Sequence, residues 1–207
     1  MKTKSFLRIK EYEMLSKLHV DGKILDIGGS KKSGYQELIQ GNHVFIVSNI
    51  DASYDVDVLF DAQQKWPFEV SDFSAVFFIN VLEHVYDYKT AVTEAHRVLK
   101  SGGRMVGVVP FMYNVHGSPS DYFRYTRFAL EKICIDAGFS SVTVHELGSG
   151  AFSVIHHNLF GFMVWPWFAH STMYICEKLD RLLLYLRPNN KMSAKYMPLG
   201  YYFEATK

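Results

Sequence analysis

The chain has 207 residues and a formal net charge of +1, with 48% hydrophobic and 21% charged residues. This length and composition fit one globular domain with a full core and exclude a disordered chain. The near-neutral charge gives no electrostatic reason to expect nucleic acid as a partner. Two cysteines in apolar surroundings, Cys134 and Cys176, predict reduced thiols rather than a disulfide framework. Because no long apolar run follows residues 1–5, we expect no secretory signal and a cytoplasmic protein.

The hydrophobic pattern alternates between helical and strand-like segments along the chain. Residues 6–18 predict a loose amphipathic helix, and a short helix is expected near residues 34–35. The first five predicted strands are 23–27, 43–47, 56–61, 75–79 and 104–109. Further helices are predicted at 87–99 and between Thr126 and Gly138. This alternation indicates βαβ units with right-handed crossovers, and therefore an α/β fold with a mostly parallel sheet.

The first predicted strand runs into a glycine-containing turn, Ile24-Leu25-Asp26-Ile27-Gly28-Gly29-Ser30. Glycines without a Cβ let the backbone turn sharply and let a ligand come close. The G-x-G-x-x-G spacing of dinucleotide-binding turns is absent. An acid at the entry to the turn suits a ligand with an ammonium or sulfonium group better than a diphosphate. The alternative is a turn that is rich in glycine for steric reasons alone.

Polar residues stand at the carboxyl end of each of the first four predicted strands. They are Asp26, Asn49 or Asp51, Asp61 and Asn80. Ligands of parallel α/β sheets bind beyond the carboxyl ends of the strands, so these side chains should lie along one edge. Asp61 has a second interpretation, in which it only begins a turn.

The motifs together resemble the class I S-adenosylmethionine-dependent methyltransferases of the type 11-like family. The resemblance covers nearly the whole chain and rests on residues 24–30, 61–68, 72–85, 97–103 and 109–111. It implies a Rossmann-like methyltransferase fold in a single domain over 1–207, with helices on both faces of a mostly parallel seven-stranded sheet. The last strand would be antiparallel, with the final pair at 141–146 and 199–205. Residues 116–126 are similar to a subgroup often met near polysaccharide and cell-envelope biosynthesis, a contextual association that says little about the substrate.

The resemblance implies S-adenosyl-L-methionine as cofactor. The residues that would bind it are Asp26, Gly28, Gly29, Ser30, Asn49, Asp51, Asp61, Ala62, Asn80 and Val81. Gly28 and Gly29 would let the backbone approach the methionine moiety, and Asp26 would lie near its ammonium, directly or through water. Asp61 would accept a hydrogen bond from the adenine amino group, with the Ala62 N–H near a ring nitrogen.

Two asparagines depart from the family pattern. Asn49 stands where the family usually has the acid that holds the ribose hydroxyls. An amide offers one accepting oxygen where a carboxylate offers two, so either Asp51 reaches the ribose or the cofactor affinity is reduced. Asn80 stands where the family often has a second acid, on the methionine side.

Three residues are candidates for catalysis: His116, His84 and Asp121. His116 follows the fifth strand in a loop, and a histidine there can take a proton from a hydroxyl nucleophile. The alternative for His116 is an anchor for its loop. Glu83 and His84 equally fit a helix-terminal acid with a histidine packed on it, and Asp121 equally fits an ion pair with Arg124 that pins a loop. No metal site is expected at His156-His157, which lack a carboxylate or cysteine at ligand spacing.

Residues 148–188 form an aromatic-rich helical insertion that a minimal fold does not need. Its eleven-residue apolar run, 159–169, is too short to span a bilayer. Beyond it, five apolar residues recur at helical spacing: Ile175, Leu179, Leu182, Leu183 and Leu186. The insertion either forms a lid over the methyl-acceptor site, packs on a second subunit as a homodimer, or makes peripheral contact with a membrane through its tryptophans and basic residues.

We therefore expect an enzyme that transfers a methyl group to a small-molecule, sugar or lipid-linked acceptor, at oxygen. Two rival hypotheses remain. One is a binding protein that keeps the cofactor fold without turnover, which Asn49 and Asn80 motivate. The other is a membrane-peripheral interaction module built around the aromatic segment.

Overall fold

The computed structural model describes residues 4–117, 119–160 and 166–207, without the side chains of residues 160, 166, 167, 169 and 170. Seven strands form one sheet: β1 Gly22–Ile27, β2 His43–Asn49, β3 Val58–Leu59, β4 Phe73–Ile79, β5 Leu99–Pro110, β6 Ser141–Leu147 and β7 Gly200–Thr206. Their order is β3-β2-β1-β4-β5-β7-β6. Strands β1 to β5 pair in parallel, whereas β7 runs antiparallel to β5 and β6. The Rossmann-like sheet with an antiparallel last strand is thereby confirmed.

Within the described residues, five α-helices accompany the sheet: α1 Phe6–Leu15, α2 Tyr88–Val98, α3 Arg127–Asp136, α4 Ala151–Phe160 and α5 Pro166–Leu186. Single 3-10 turns occur at Gln36–Leu38 and Leu82–His84. Helices α2 and α3 pack on one face of the sheet, where Ala91, Val92 and Leu130 are buried. Helix α1 packs on the other face through Phe6, Leu7 and Leu15. The sheet is therefore covered on both sides, which explains why β4 is almost continuously apolar.

Two predicted elements are shorter than expected. The helix predicted over 6–18 ends at Leu15, because the N–H groups of Lys17 and Leu18 turn back to the carbonyls of Met14 and Leu15. The strand predicted over 56–61 is reduced to Val58–Leu59 at the sheet edge, where it pairs only with the end of β2. Asp57 instead uses its carboxylate to accept the N–H of Val47 at 2.9 Å. The Asp57 side chain thus takes the place of a backbone carbonyl as the acceptor for the Val47 N–H.

Helices α4 and α5 lie in the chain between β6 and β7 and pack on each other. Asp180 of α5 is 3% exposed and accepts hydrogen bonds from the N–H groups of Phe152 and Ser153. These N–H groups belong to the first turn of α4, where a helix has no internal acceptors. Asp180 therefore caps α4 and lies on the inward side of α5.

The apolar stripe predicted on α5 faces outward as a result. Ile175 is 54% exposed, Leu182 53% and Leu186 66%, while Leu183 is half-buried. Most of this stripe is therefore not covered by the rest of the described chain. No helix among the described residues is both long and apolar enough to cross a membrane. Phe162 and Trp165 of the predicted aromatic segment lie outside the described residues, as do the side chains of Phe160 and Trp167.

Candidate functional site

A cavity of about 530 Å³ opens at the carboxyl ends of β1, β2 and β4, and we call it the larger cavity. Its walls include seven of the residues proposed from the sequence to bind cofactor: Gly28, Asn49, Asp51, Asp61, Ala62, Asn80 and Val81. His84, Tyr54 and Tyr122 complete the side away from the sheet. Because parallel strands end at one edge, residues far apart in sequence converge there.

Gly28 forms the floor of the larger cavity in a backbone conformation that favours glycine. Its φ is +68°, and a Cβ at this position would lie 2.7 Å from a methyl group of Val81. A side chain here would strain the backbone and press on the residue that follows β4. Gly28 thus lets the β1 turn approach the end of β4 closely.

Asp26 lies beneath this turn and does not line the larger cavity. It is fully buried, and it accepts hydrogen bonds from the Tyr35 hydroxyl at 2.7 Å and the Gln36 amide at 2.8 Å. Burial raises the pKa of Asp26 to about 6 despite these hydrogen bonds. A Cβ on Gly29 would lie 2.4 Å from the Asp26 carboxylate, so the glycine leaves room for it. Gly29 and Ser30 also lie outside the lining of the larger cavity.

Asn49 and Asp51 make different contacts at the end of β2. The Asn49 amide donates to the Gly29 carbonyl at 3.0 Å, and its oxygen accepts the Asp51 N–H at 3.1 Å. Both polar atoms of Asn49 are therefore engaged with backbone. Asp51 is exposed on the cavity rim, where hydrogen bonds from Ser53 lower the pKa of its carboxyl group. An ionised carboxylate is thus available at the rim.

Asp61 both holds a turn and lines the larger cavity. One of its oxygens accepts the Gln63 N–H at 2.9 Å, which realises the turn interpretation. The Ala62 carbonyl accepts the indole N–H of buried Trp66 at 3.0 Å and fixes the same segment. The two interpretations of Asp61 are compatible, because the turn places the carboxylate at the wall.

Asn80, at the end of β4, adopts φ of +55°, a conformation uncommon for residues other than glycine. Its amide donates at 2.9 Å to Glu11 of α1, which is 1% exposed. Burial raises the pKa of Glu11, while Arg8 opposes the rise. Asn80 and Glu11 also line a smaller cavity of about 150 Å³, together with Arg8, Pro110, Tyr113 and His116. Asn80 therefore forms a wall common to both cavities.

His116 lies in the loop after β5 and is held by Asp121. The Asp121 carboxylate accepts the His116 backbone N–H at 2.9 Å and binds the Arg124 guanidinium at 2.6 Å. The Arg124 guanidinium holds the pKa of Asp121 at about 2. The His116 side chain remains 37% exposed, with Nδ1 3.5 Å from the Asp121 carboxylate. The ion pair pins the loop and at the same time positions the imidazole.

Glu83 and His84 follow β4 in the 3-10 turn and face His116. Glu83 is 0% exposed, and burial raises its pKa to about 8. His84 Nε2 lies 3.8 Å from the Glu83 carboxylate, and the rings of His84 and His116 are 5.0 Å apart. One ligand atom from each of the three side chains lies within 4.8 Å of the other two. The structure thus gathers two of the three candidate catalytic residues with a buried acid.

Sequence reasoning missed three residues around the site: Glu11, Tyr35 and Tyr113. Glu11 meets Asn80 across 69 positions, a relationship that no local pattern signals. The sequence pattern places Tyr35 only in a short helix, yet its hydroxyl donates to the buried Asp26 carboxylate. Tyr113 lines the smaller cavity between His116 and His157. Only the position of Tyr113, directly after the fifth strand, could have singled it out.

Comparisons with known proteins agree with this geometry. A family model described as a methyltransferase domain matches residues 34–107, which include the ends of β2 and β4. No curated protein matches the sequence. Among solved structures, a SAM-dependent methyltransferase from Archaeoglobus fulgidus has a TM-score of 0.59 at 16% identity over 98% of this chain and 92% of that one. A possible histamine N-methyltransferase from Thermotoga maritima has a TM-score of 0.61 at 14% identity over 98% and 89%.

A third similar structure is phosphoethanolamine N-methyltransferase 2 from Haemonchus contortus, solved in complex with S-adenosyl-L-methionine. Its TM-score is 0.54 at 16% identity, over 95% of this chain and 52% of that one, so this chain spans about half of its length. At such identities the likeness shows a common fold. The methyltransferase-domain model matches residues 34–107, and the solved structures show that the chain has the fold of S-adenosylmethionine-dependent methyltransferases.

Proposed function

We propose that the chain transfers the methyl group of S-adenosyl-L-methionine to a hydroxyl group of a small-molecule, saccharide or lipid-linked acceptor. The observation that carries this proposal is the smaller cavity, which meets the larger one at Asn80 and has His116 in its wall. A cofactor in the larger cavity and an acceptor in the smaller one would meet beside Asn80, with the methyl carbon and the acceptor atom in direct contact. His116, in the wall of the smaller cavity, would then receive the proton of the hydroxyl.

The cofactor would lie along the strand ends, with its methionine end toward Gly28, Asn80 and Val81. Asp61 and Ala62 would contact the adenine. Asp51 is the better partner for the ribose hydroxyls, because both polar atoms of Asn49 already bind backbone groups. Asp26, Gly29 and Ser30 lie outside the lining of the larger cavity, so they would support the turn without contacting the cofactor directly. Any contact between Asp26 and the ammonium group would need a bridging water or a movement of Gly29.

The chemistry is a displacement at the methyl carbon. An acceptor oxygen attacks that carbon as the carbon–sulfur bond breaks and its electron pair returns to sulfur. The hydroxyl proton passes to His116, whose ring is held by Asp121. The protein mainly supplies alignment and exclusion of water, since the sulfonium already activates the carbon. Asp121 is a positioning residue in this scheme, and His84 forms the far wall.

The helical insertion would cover the methyl acceptor rather than the cofactor. His157 of α4 packs on Tyr113 with ring centres 4.9 Å apart, and Asn158 donates to the Met112 carbonyl. Lys10 of α1 pairs with Glu177 of α5 at 3.1 Å. These contacts place α4 and α5 against the loop and helix that wall the smaller cavity. The larger cavity, in contrast, is lined by residues between Ile27 and Tyr122.

The outward face of α5 favours an anionic membrane surface as the place where a lipid-linked acceptor is met. Exposed leucine, isoleucine and tyrosine side chains of α5 occur with the exposed cations Lys178 and Arg181, and the segment after α5 carries three further exposed cations, Arg187, Lys191 and Lys195. The acids on α5 are withdrawn from that face, because Asp180 is buried and Glu177 pairs with Lys10 and Arg181. An apolar face edged by cations is typical of helices that lie on anionic bilayers.

A binding measurement followed by a turnover screen tests the proposed function. Calorimetry with S-adenosyl-L-methionine and S-adenosylhomocysteine should show one cofactor site. Release of S-adenosylhomocysteine should then be measured over matched hydroxyl, amine and carboxylate acceptors, including saccharides and lipid-linked sugars. Turnover of hydroxyl acceptors alone supports the proposal, whereas turnover of amines overturns transfer to oxygen. Cofactor binding with no turnover over the whole screen would favour a binding protein.

A further inference from the structure

We propose that Glu83, His84 and His116 form a binding site for a divalent transition-metal cation between the two cavities. One ligand atom from each residue lies within 4.8 Å of the others. Among the described residues, this is a group of side chains whose chemistry and spacing suit a metal ion. It joins the 3-10 turn after β4 to the loop after β5.

The Glu83 carboxylate is the first independent observation. It is 0% exposed, and neither of its oxygens has a hydrogen-bond partner in the part of the chain that the structure describes. A buried carboxylate is costly unless hydrogen bonds or a cation compensate it. The backbone of Glu83 is firmly placed, because its carbonyl accepts the N–H of Tyr122 at 2.9 Å. The side chain is therefore held in position without a partner, next to two imidazoles.

The hydrogen bonds of the two histidines leave metal-binding nitrogens free. His84 Nδ1 lies 2.6 Å from the Ser120 carbonyl, and His116 Nδ1 lies 3.2 Å from the Asn114 carbonyl. A carbonyl only accepts, so each Nδ1 carries the hydrogen and each Nε2 of the neutral ring keeps its lone pair. Metal-binding histidines are commonly oriented by such contacts to carbonyls or carboxylates. Asp121, 3.5 Å from His116 Nδ1, adds the carboxylate that often completes this arrangement.

Two imidazoles and one carboxylate suit Zn²⁺, Mn²⁺, Fe²⁺ or Co²⁺ better than Mg²⁺ or Ca²⁺, which prefer oxygen ligands. Ligand distances near 2.0–2.2 Å require the three atoms to lie about 3–4 Å apart. The side chains would close by about 1 Å from their present positions. The remaining coordination positions would be open toward the cavities, because His84 lines the larger one and His116 the smaller one.

A cation at this place would make a bound acceptor hydroxyl more acidic. In the loaded protein the lone pair of His116 would be bound to the metal, so the proton of the more acidic hydroxyl would pass to solvent water in the open cavities instead. This role rests on the proposed function, whereas the binding of the cation does not. The two can therefore be tested separately.

The binding test uses the chelator-treated protein without cofactor or acceptor. Zn²⁺ titration by calorimetry should show one saturable site, and Co²⁺ should give d–d absorption bands of a coordinated ion. Glu83→Gln and His116→Ala should each weaken Zn²⁺ binding by at least about 100-fold, since even outer-shell changes cost 10–100-fold. His145→Ala, an exposed histidine of β6 outside both cavities, is the matched control and should bind as wild type. Circular dichroism checks that each variant is folded.

Two results would overturn the site. One is a wild-type protein that shows no saturable Zn²⁺ binding up to about 1 mM, because a site with these three ligands should have a Kd below that concentration. The other is a folded His116→Ala variant that binds Zn²⁺ as tightly as the control, which keeps the test decisive even if Glu83→Gln does not fold. Methyl transfer that is unchanged by chelation, in a protein that does bind Zn²⁺, would leave the metal site standing and return proton transfer to His116.

Discussion

The side-chain amide of Asn80 donates a 2.9 Å hydrogen bond to the buried carboxylate of Glu11. This contact ties α1 to the end of β4, at the wall between the two cavities. It also gives a reason for the departure from the family pattern at position 80. An acid there would face a second buried acid, whereas an amide supplies the hydrogen that the Glu11 carboxylate accepts.

Asn80→Asp should therefore destabilise the protein by about 1–3 kcal/mol, because it removes a donor from a buried carboxylate and adds a like charge. Denaturant unfolding at neutral pH measures the loss. Adding Glu11→Gln restores a donor–acceptor pair, so the double variant should be more stable than Asn80→Asp alone. Additive losses in the double variant would mean that the two side chains do not interact.

Removal of the rim carboxylates should weaken cofactor binding. Asp61→Ala and Asp51→Ala should each cost about 1–3 kcal/mol in affinity for S-adenosyl-L-methionine, or about 5- to 150-fold in Kd. Calorimetry provides the measurement. Asp55→Ala, an exposed acid outside the larger cavity, is the control and should bind normally. Normal binding by Asp51→Ala would shift the ribose contact back to Asn49.

Loss of the His116 imidazole should affect turnover far more than cofactor affinity. His116→Ala should lower kcat by about 10²–10⁴-fold if the histidine receives the acceptor proton. The Kd for S-adenosyl-L-methionine should stay close to that of wild type. A reduction in kcat of less than tenfold would mean that the protein promotes methyl transfer mainly by aligning the substrates. His116 would then only anchor its loop.

Asp26 should make the stability of the free protein decline as the pH rises. Its folded-state pKa of about 6 lies above the ordinary value of 3.8, so its stabilising contribution is complete below about pH 4 and falls as the pH passes 6. The rise corresponds to about 3 kcal/mol. Unfolding of wild type and Asp26→Asn should be compared from pH 4 to 7. The free energy of unfolding of the variant, relative to that of wild type, should rise from pH 4 to 7. If the two proteins show the same dependence on pH, the pKa of Asp26 is not raised.

The outward face of α5 should bind anionic vesicles. Ile175→Ser combined with Leu182→Ser should reduce cosedimentation with phosphatidylglycerol-containing vesicles at least about tenfold, because both side chains are exposed and apolar. Val70→Ser, at a 63% exposed valine elsewhere on the surface, should have no effect. Equal binding to pure phosphatidylcholine would argue against a role for the cations. A concentration-dependent dimer, abolished by the same double variant, would assign the face to a second copy of the chain.

The sequence predicted the features that depend on local pattern. Strand ends such as those before Asn49, Asp61 and Asn80 could be located because apolar runs stop there, and parallel pairing then brings them to one edge. Contacts between distant segments could not be predicted in this way. The hydrogen bonds from Asn80 to Glu11 and from Tyr35 to Asp26 exist only because separate elements pack together.

The orientation of α5 shows a different limit. Its apolar stripe left open whether Ile175 and Leu182 face the body of the chain, a second subunit or a membrane. In the structure Asp180 takes the inward position, since the N–H groups at the start of α4 need an acceptor. Hydrophobic spacing alone contains no information about the unsatisfied end of a neighbouring helix.

The ladder between β6 and β7 has a consequence for how such a protein can change over time. Leu147 and Gly200 are directly paired, so residues 148–199 leave and re-enter the sheet at a single rung. Residues 148–199 can therefore be replaced or lengthened while β1, β2 and β4 keep their register. Under the proposed function, the cover over the acceptor could therefore change in one segment of sequence, while the strand ends that line the larger cavity stay in another.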